Sequence, residues 1–356
     1  MYFPGSMKII VAPDSYKECL PSRDVSKTLG DALRSALPGS DIVELPLADG
    51  GEGTVDVLTS AMGGHIASAC VSDPLGRPVQ AQYGVAGDTA VIEVAQACGL
   101  ALLSPEERNP LQTSTFGVGE LLLAAWNNGC RRFIVGLGGS STCDGGAGMM
   151  AIPGLRDILS GATFEILCDV DAPFVGPLGA ARVFGPQKGA SAAEVEVLEQ
   201  RMKEKADAML EETGIDISSI PGAGAAGGLG GAFMAYFGAV LQPGIDRILD
   251  LLHFDSAVKG ADLIVTGEGR SDRQTVSGKA PFGVLRRSAG VPVALLSGRI
   301  EDRDALLRSG FRWVLEVSPK DIPLNMALQP GPARQNLQFA VSRLLAYAGP
   351  GAEGIS

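Results

Sequence analysis

A strand that runs directly into a glycine-rich loop is the feature that most restricts this chain: Arg132–Met150 reads RFIVGLGGSSTCDGGAGMM. Phe133, Ile134 and Val135 predict a short buried strand. Gly136 to Gly146 predict a Gly/Ser/Thr loop with one carboxylate, Asp144, leading into a helix of small residues. With so little side-chain bulk, backbone N–H groups can approach a phosphate, and a helix N-terminus beyond them adds roughly half a positive charge. The pattern is not a P-loop, which closes on Gly-Lys-Ser/Thr. The competing structural reading is a strand-to-helix turn whose glycines serve only tight packing. The loop by itself does not separate the two.

The same rhythm opens the chain. Lys8 to Pro13 is a short apolar run ending in Asp14-Ser15-Tyr16-Lys17, and Ser22 is placed to cap a helix with Val25, Leu29, Ala32, Leu33 and Ala36 on one face. Asp41 to Pro46 predicts the next strand, Asp49-Gly50-Gly51-Glu52-Gly53-Thr54 a loop, and Val55, Leu58 and Met62 a helix. In right-handed βαβ units both loops leave the carboxyl edge of a parallel sheet, where open α/β sheets bind ligands. Asp14, Lys17, Asp49 and Glu52 are therefore expected to converge. An Asp after a strand is also a good helix N-cap, but two such loops with a lysine and three carboxylates favour a site.

A turn-rich break at Asp73-Pro74-Leu75-Gly76-Arg77-Pro78 suggests a domain boundary, after which Val79 to Val85 alternates like an antiparallel strand. Thr89–Val94 and Thr163–Cys168 predict further strands, and a helix through Leu121 and Trp126 follows Thr113-Ser114-Thr115. Asp169-Val170-Asp171 makes an acidic corner. Ser191 with Glu194 forms a capping box for a helix burying Val195, Leu198, Met202, Ala206 and Met209. Gly222, Gly224 and Gly227 fit the dinucleotide fingerprint in spacing, yet no strand is predicted before them; a second anion loop or close helix packing fits better.

From Ala261 the opening rhythm returns. Leu263–Thr266 predicts a strand, Gly267 to Asp272 a loop, and Pro281 the first residue of a helix; Val291–Leu296 and Phe311–Val317 are further strands. The likeness to the N-terminal segment predicts one Rossmann-like parallel-sheet domain built from 7–76 and 244–348, with 77–243 inserted as a mixed α/β domain and a cleft between them. Met1–Ser6, ahead of a second methionine, reads as an expression leader.

Composition narrows the chemistry. A length of 356 residues favours two domains. The net charge of −11 argues against nucleic acid or an anionic membrane as partner, and no run approaches the ~20 apolar residues that span a bilayer. Six cysteines without close metal-type spacing or a signal peptide suit reduced thiols in the cytoplasm. With two histidines, His65 and His253, in structural settings, a mechanism must rest on carboxylates and lysines, with or without a metal. Glycine loops carrying Asp or Glu, with Lys17, Lys188 and Lys279 nearby, fit handling of a phosphate and Mg²⁺.

The ordered series APDSYKE, PLADGGEGT, GLGGSSTCDGGAG, CDVDAPF, FGPQKGA, PGAGAAGGLG, TGEGRSD and SGKAP resembles the glycerate kinase type-1 family, from Met7 to about Leu345. The resemblance implies ATP-dependent phosphorylation of D-glycerate, usually to 2-phosphoglycerate. On the matching positions it implies that Asp14, Lys17, Asp49 and Glu52 line a cleft. Gly138, Gly139, Ser140, Ser141 and Asp144, with Gly222 and Gly224, would contact phosphate. Asp169 would be the base, Lys17, Gln187, Lys188 and Lys279 would neutralise charge, and Glu268 and Asp272 would hold Mg²⁺ or glycerate.

The chain departs from the family pattern in places. The segment between Met150 and Thr163 is short, so an edge element of the inserted domain is expected to be lacking. Cys143 replaces the common Asn, and Tyr16 and Cys19 replace Phe and Ser. Two alternatives differ in chemistry: a kinase of another small hydroxy acid, and a nicotinamide-dependent oxidoreductase resting on Gly222–Gly227. The sequence is silent on oligomeric state.

Overall fold

A computed structural model describes residues 6–272, 279–319 and 322–348. The leader assignment, apart from Ser6, lies outside the described residues, as do Ser277 and Gly278 of the SGKAP motif. The chain forms two compact units, one of Met1–Ala48 with Ile248–Ser356 and one of Asp49–Arg247.

The first unit holds a five-stranded, wholly parallel sheet in the order β11-β10-β9-β1-β2, where β1 is Lys8–Val11, β2 Asp41–Glu44, β9 Leu263–Ser271, β10 Val293–Ile300 and β11 Trp313–Glu316. Ile9, Ile10 and Val11 are fully buried, as a central parallel strand covered on both faces requires. β9 lies against β1, with Ile9 opposite Leu263 and Val11 opposite Val265, so both chain ends build one sheet. Helices Ser22–Ala36 and Pro330–Ala348 pack together and close a core of Leu29, Leu33, Leu296, Leu337 and Leu344. Ser22 is the first helical residue, not the cap; Pro21 holds the cap position without a side-chain hydrogen bond.

The second unit has a six-stranded mixed sheet in the order β3-β4-β5-β6-β7-β8, with β3 His65–Ser72, β4 Pro78–Ala86, β5 Thr89–Glu93, β6 Arg132–Gly136, β7 Thr163–Leu167 and β8 Val240–Gln242. β3, β4 and β5 are antiparallel, and β5 to β8 are parallel. The expected boundary at Gly76 is a hairpin turn inside this unit, held by Asp73 Oδ1 accepting from the N–H groups of Leu75 and Arg77 at 2.8 Å each. The crossing falls at Ala48 instead, because helix Thr54–Ala61 packs on β4 and β5.

The capping box expected at Ser191 forms, and all five predicted residues of that helix are buried. Phe133 and Phe164 stack at 4.8 Å between ring centroids beneath Phe233 and Phe237. The short segment after Met150 carries the one-turn helix Leu155–Ile158. It joins β6 to β7, which are interior neighbours, while the edges are β3 and β8. No helix among the described residues is long and apolar enough to cross a membrane.

Candidate functional site

In the second unit the carboxyl ends of β5, β6 and β7 lie side by side, with Glu93 opposite Gly136 and Gly136 opposite Leu167. This is the edge at which parallel α/β sheets bind ligands. Two loops are laid across it. The Asp49–Gly53 loop lies so close to β6 that a methyl group on Gly136 would collide with the Gly50 carbonyl, and one on Gly138 would stand 2.5 Å from Gly51 Cα. Gly138 N–H donates to Gly50 O at 3.2 Å. Gly136 and Gly138 are therefore required by backbone-on-backbone stacking.

Within the Gly/Ser loop, function and scaffolding separate. Gly138 is half-buried and Gly139, with φ +75°, is exposed, so their backbone can meet a ligand. Ser141 is 1% exposed and its hydroxyl donates to Cys98 O at 2.9 Å, which holds the loop down. Ser140 Oγ accepts from Lys188 Nζ at 2.9 Å, and the same ammonium donates to Thr142 O at 2.7 Å. Lys188 is 3% exposed, and burial lowers its pKa. The ammonium thus tethers the loop from beneath, while Gln187 beside it is exposed.

Asp144 is a tether as well. Its Oδ2 accepts from Thr115 N–H at 2.9 Å, Thr115 Oγ1 at 2.8 Å and Gly148 N–H at 3.0 Å, and its Oδ1 accepts from Gly146 N–H at 3.1 Å. Gly222 and Gly224 are buried and closely packed. Gly224 N–H donates to Ala172 O at 2.9 Å, and side chains at Gly224 and Gly227 would strike the carbonyls of Pro173 and Thr142. No strand precedes them, and Ala226, Gly227 and Gly228 are left-handed at φ 52°, 67° and 92°. The dinucleotide fingerprint is excluded by this geometry.

Asp169 follows β7. Its Oδ1 accepts from Gly244 N–H at 2.8 Å, and its Oδ2 lies 2.9 Å from where a Gly244 Cβ would be, next to the Asp49 carbonyl at 2.8 Å. The residue is exposed on one side, yet its carboxyl is hemmed in by this contact. Partial burial first, and the Asp49 and Asp246 carboxylates next, push its pKa up to about 7 against the pull of the Gly244 and Ile245 N–H groups. Asp49 Oδ1 accepts from Gly51 N–H at 3.1 Å, and Glu52 is exposed.

The first unit has its own polar cluster at the carboxyl ends of β1 and β9. Asp14 is 5% exposed, its N–H donates to Gly267 O at 2.8 Å, and Lys17 is exposed close by in sequence. Tyr16 donates its hydroxyl to Leu296 O at 2.8 Å. Glu268 Oε1 accepts from Ser271 Oγ at 2.8 Å, and Lys279 Nζ stands 3.5 Å from both Glu268 Oε2 and Asp272 Oδ1. Ser15 Oγ is buried with no hydrogen-bond partner among the described residues. No group of three metal-ligating side chains occurs among the described residues.

Sequence reasoning missed Glu93, which ends β5 at 4% exposure, and Gly244, which holds Asp169. An acid closing the apolar run TAVIE was the available signal for the first; nothing local marked the second.

The glycerate kinase family model matches residues 9–156 and 151–348, two stretches that meet within the short segment after Met150. The chain is 43% identical to the glycerate kinase of Bacillus subtilis, over 91% of this chain and 93% of that protein. It is 39% identical to the glycerate 2-kinase of Escherichia coli, over 83% and 86%. The crystal structure assigned to glycerate kinase 2 of Salmonella typhimurium LT2 superposes with a TM-score of 0.82 at 37% identity, covering 96% of this chain and 98% of that one. The strand-to-glycine-loop edges and their ordered motifs are thus those of an enzyme scaffold already known, and the chain belongs to the glycerate kinase family.

Proposed function

We propose that the chain uses Mg-ATP to phosphorylate the 2-hydroxyl of D-glycerate, giving 2-phosphoglycerate and ADP. The observation that carries this reading is Asp169, a carboxylate on the open carboxyl edge of a parallel sheet, fixed by Gly244 N–H, with a pKa raised to about 7. A base poised near neutrality takes a proton most effectively at working pH. The substrate hydroxyl oxygen forms the new bond to the γ-phosphorus, the bond from that phosphorus to the β–γ bridging oxygen breaks, and the hydroxyl proton passes to Asp169. The 2-position is supported by the name of the Escherichia coli relative.

The remaining roles are positioning and charge. Phosphoryl transfer asks the protein chiefly for these, because the charge is spread over the transferred oxygens. In the second unit Gly138 and Gly139 offer backbone and Gln187 an amide donor to phosphate; in the first unit, by itself, Lys17 and Lys279 offer cationic donors. Glu268 and Asp272 fit a divalent ion, since one cation, the Lys279 ammonium, already stands within 3.5 Å of both. Mg²⁺ commonly takes one or two carboxylates and fills its octahedron with water and phosphate oxygens. Bound there, it would supply divalent charge to the first unit's polar cluster.

Coupled measurement of ADP release with D-glycerate and Mg-ATP, followed by ³¹P and ¹H NMR of the product, tests the reading. Absence of turnover above background overturns it, 3-phosphoglycerate corrects the hydroxyl, and poor turnover of glycerate against other hydroxy acids moves the substrate. The pH dependence is a separate expectation. Because Asp169 must be ionised to accept the proton, log(kcat/KM) is expected to fall with unit slope below about pH 7 and to level above it. A profile flat from pH 5 to pH 8 would remove Asp169 as the base.

A further inference from the structure

Glu93 sits where the two glycine loops meet. It ends β5 opposite Gly136, is 4% exposed, and its Oε1 accepts a 2.8 Å hydrogen bond from Val55 N–H, in the first turn of helix Thr54–Ala61 immediately after the Asp49–Gly53 loop. The residues that follow Glu93 carry the other loop. Val94 N–H donates to Gly136 O at 3.1 Å, Leu100 N–H donates to Gly139 O at 2.8 Å, and Cys98 O accepts both the N–H and the hydroxyl of Ser141. One short segment, 93–100, therefore grips the Gly/Ser loop with its backbone and the Asp49–Gly53 loop with a single side chain. The grip bears on a contact that is backbone on backbone, Gly136 and Gly138 against Gly50 and Gly51.

We infer that Glu93 is a positioning residue for the reaction: its bond to the Val55 amide sets the Asp49–Gly53 loop against the Gly/Ser loop and so fixes Asp49, whose backbone carbonyl meets Gly244 next to the Asp169 carboxylate. This rests on the kinase reading of that edge. Glu93 touches no reacting atom.

The electrostatics agree with the geometry. Burial, and then the Asp56 and Glu52 carboxylates on the same loop and helix, raise the Glu93 pKa to about 7, while the Val55 N–H and the Gln96 side chain pull it down. A buried acid held among two other acids disfavours its own ionisation, and its retained hydrogen bond to a helix N-terminus is what offsets that cost.

The test compares Glu93→Ala with Glu93→Gln, which keeps an acceptor oxygen and drops the charge. With D-glycerate and Mg-ATP, E93A is expected to lose about 10- to 100-fold in kcat, with less than about a threefold change in either KM. E93Q is expected to stay within about threefold of the parent. Hydrogen exchange at the Val55 amide supplies a readout independent of activity: protection persists in E93Q and drops by about tenfold or more in E93A. A folded E93A with parental kcat overturns the inference. If E93A does not fold, E93Q decides it, and an E93Q that turns over normally with an unprotected Val55 amide overturns it equally. Should the parent show no kinase activity, the function falls while the amide exchange still judges the strut.

Discussion

Asp169→Asn is expected to lower kcat by about 10²- to 10⁴-fold while leaving the fold intact, the range typical for loss of a general base. The amide retains a carbonyl oxygen to accept from Gly244 N–H, so the start of helix Gly244–Leu251 keeps its partner. What disappears is the group that ionises near pH 7. The acid limb of kcat/KM should vanish with it, leaving a low and pH-independent rate. Steady-state kinetics from pH 5 to pH 8, with circular dichroism on the same samples, check both parts. Near-parental turnover would transfer the proton to another acceptor, with Asp49 the neighbouring carboxylate.

Asp144→Ala is expected to act on stability first. The substitution leaves the N–H groups of Thr115, Gly146 and Gly148 and the Thr115 hydroxyl without the carboxylate that accepts from all four. At roughly 1–3 kcal/mol for a stranded donor, with partial rescue by water, about 3–5 kcal/mol is lost. For a unit of this size that is about 10 °C in Tm. Asp144→Asn keeps one acceptor oxygen and should fall between. Thermal melts followed by calorimetry read the effect directly. A parental Tm together with weakened nucleotide binding would return Asp144 to the ligand set.

The pH dependence of stability carries a further sign. Glu93 has a folded-state pKa of about 7 against a usual value near 4.5. Between those values the folded chain binds the extra proton, so the contribution of Glu93 to stability is complete below about pH 4.5 and is lost as pH rises through 7. Tm should fall from pH 5 to pH 8, and E93Q should flatten that fall.

Much of the scaffold was legible in the residues because its signals are local. Continuous apolar runs such as Ile9-Ile10-Val11 can only be buried on both faces, and the Ser191/Glu194 pair states its own helix start. β3 escaped because HIASACVS is half-exposed and low in β-branched residues; its pairing with β4 along its whole length is what makes it a strand. The boundary expected at Gly76 failed for the same reason, since a turn looks alike whether it joins domains or hairpin strands.

The Gly/Ser loop shows where the line falls between sequence and tertiary structure. Its composition by itself determined that backbone would come close to something, because no other residue leaves that room. What comes close was decided only by the fold. Gly136 and Gly138 meet Gly50 and Gly51, Ser141 is spent on Cys98, Lys188 is buried beneath Ser140, and Asp144 ties Thr115 to Gly148. The acid–base chemistry divides likewise. The sequence placed Asp169 after a strand, but its pKa near 7 depends on burial and on Asp49, some 120 positions earlier in the chain. Spacing along a chain fixes hydrogen bonds and periodicity within a few residues, whereas desolvation and charge–charge coupling depend on neighbours that only the folded chain supplies.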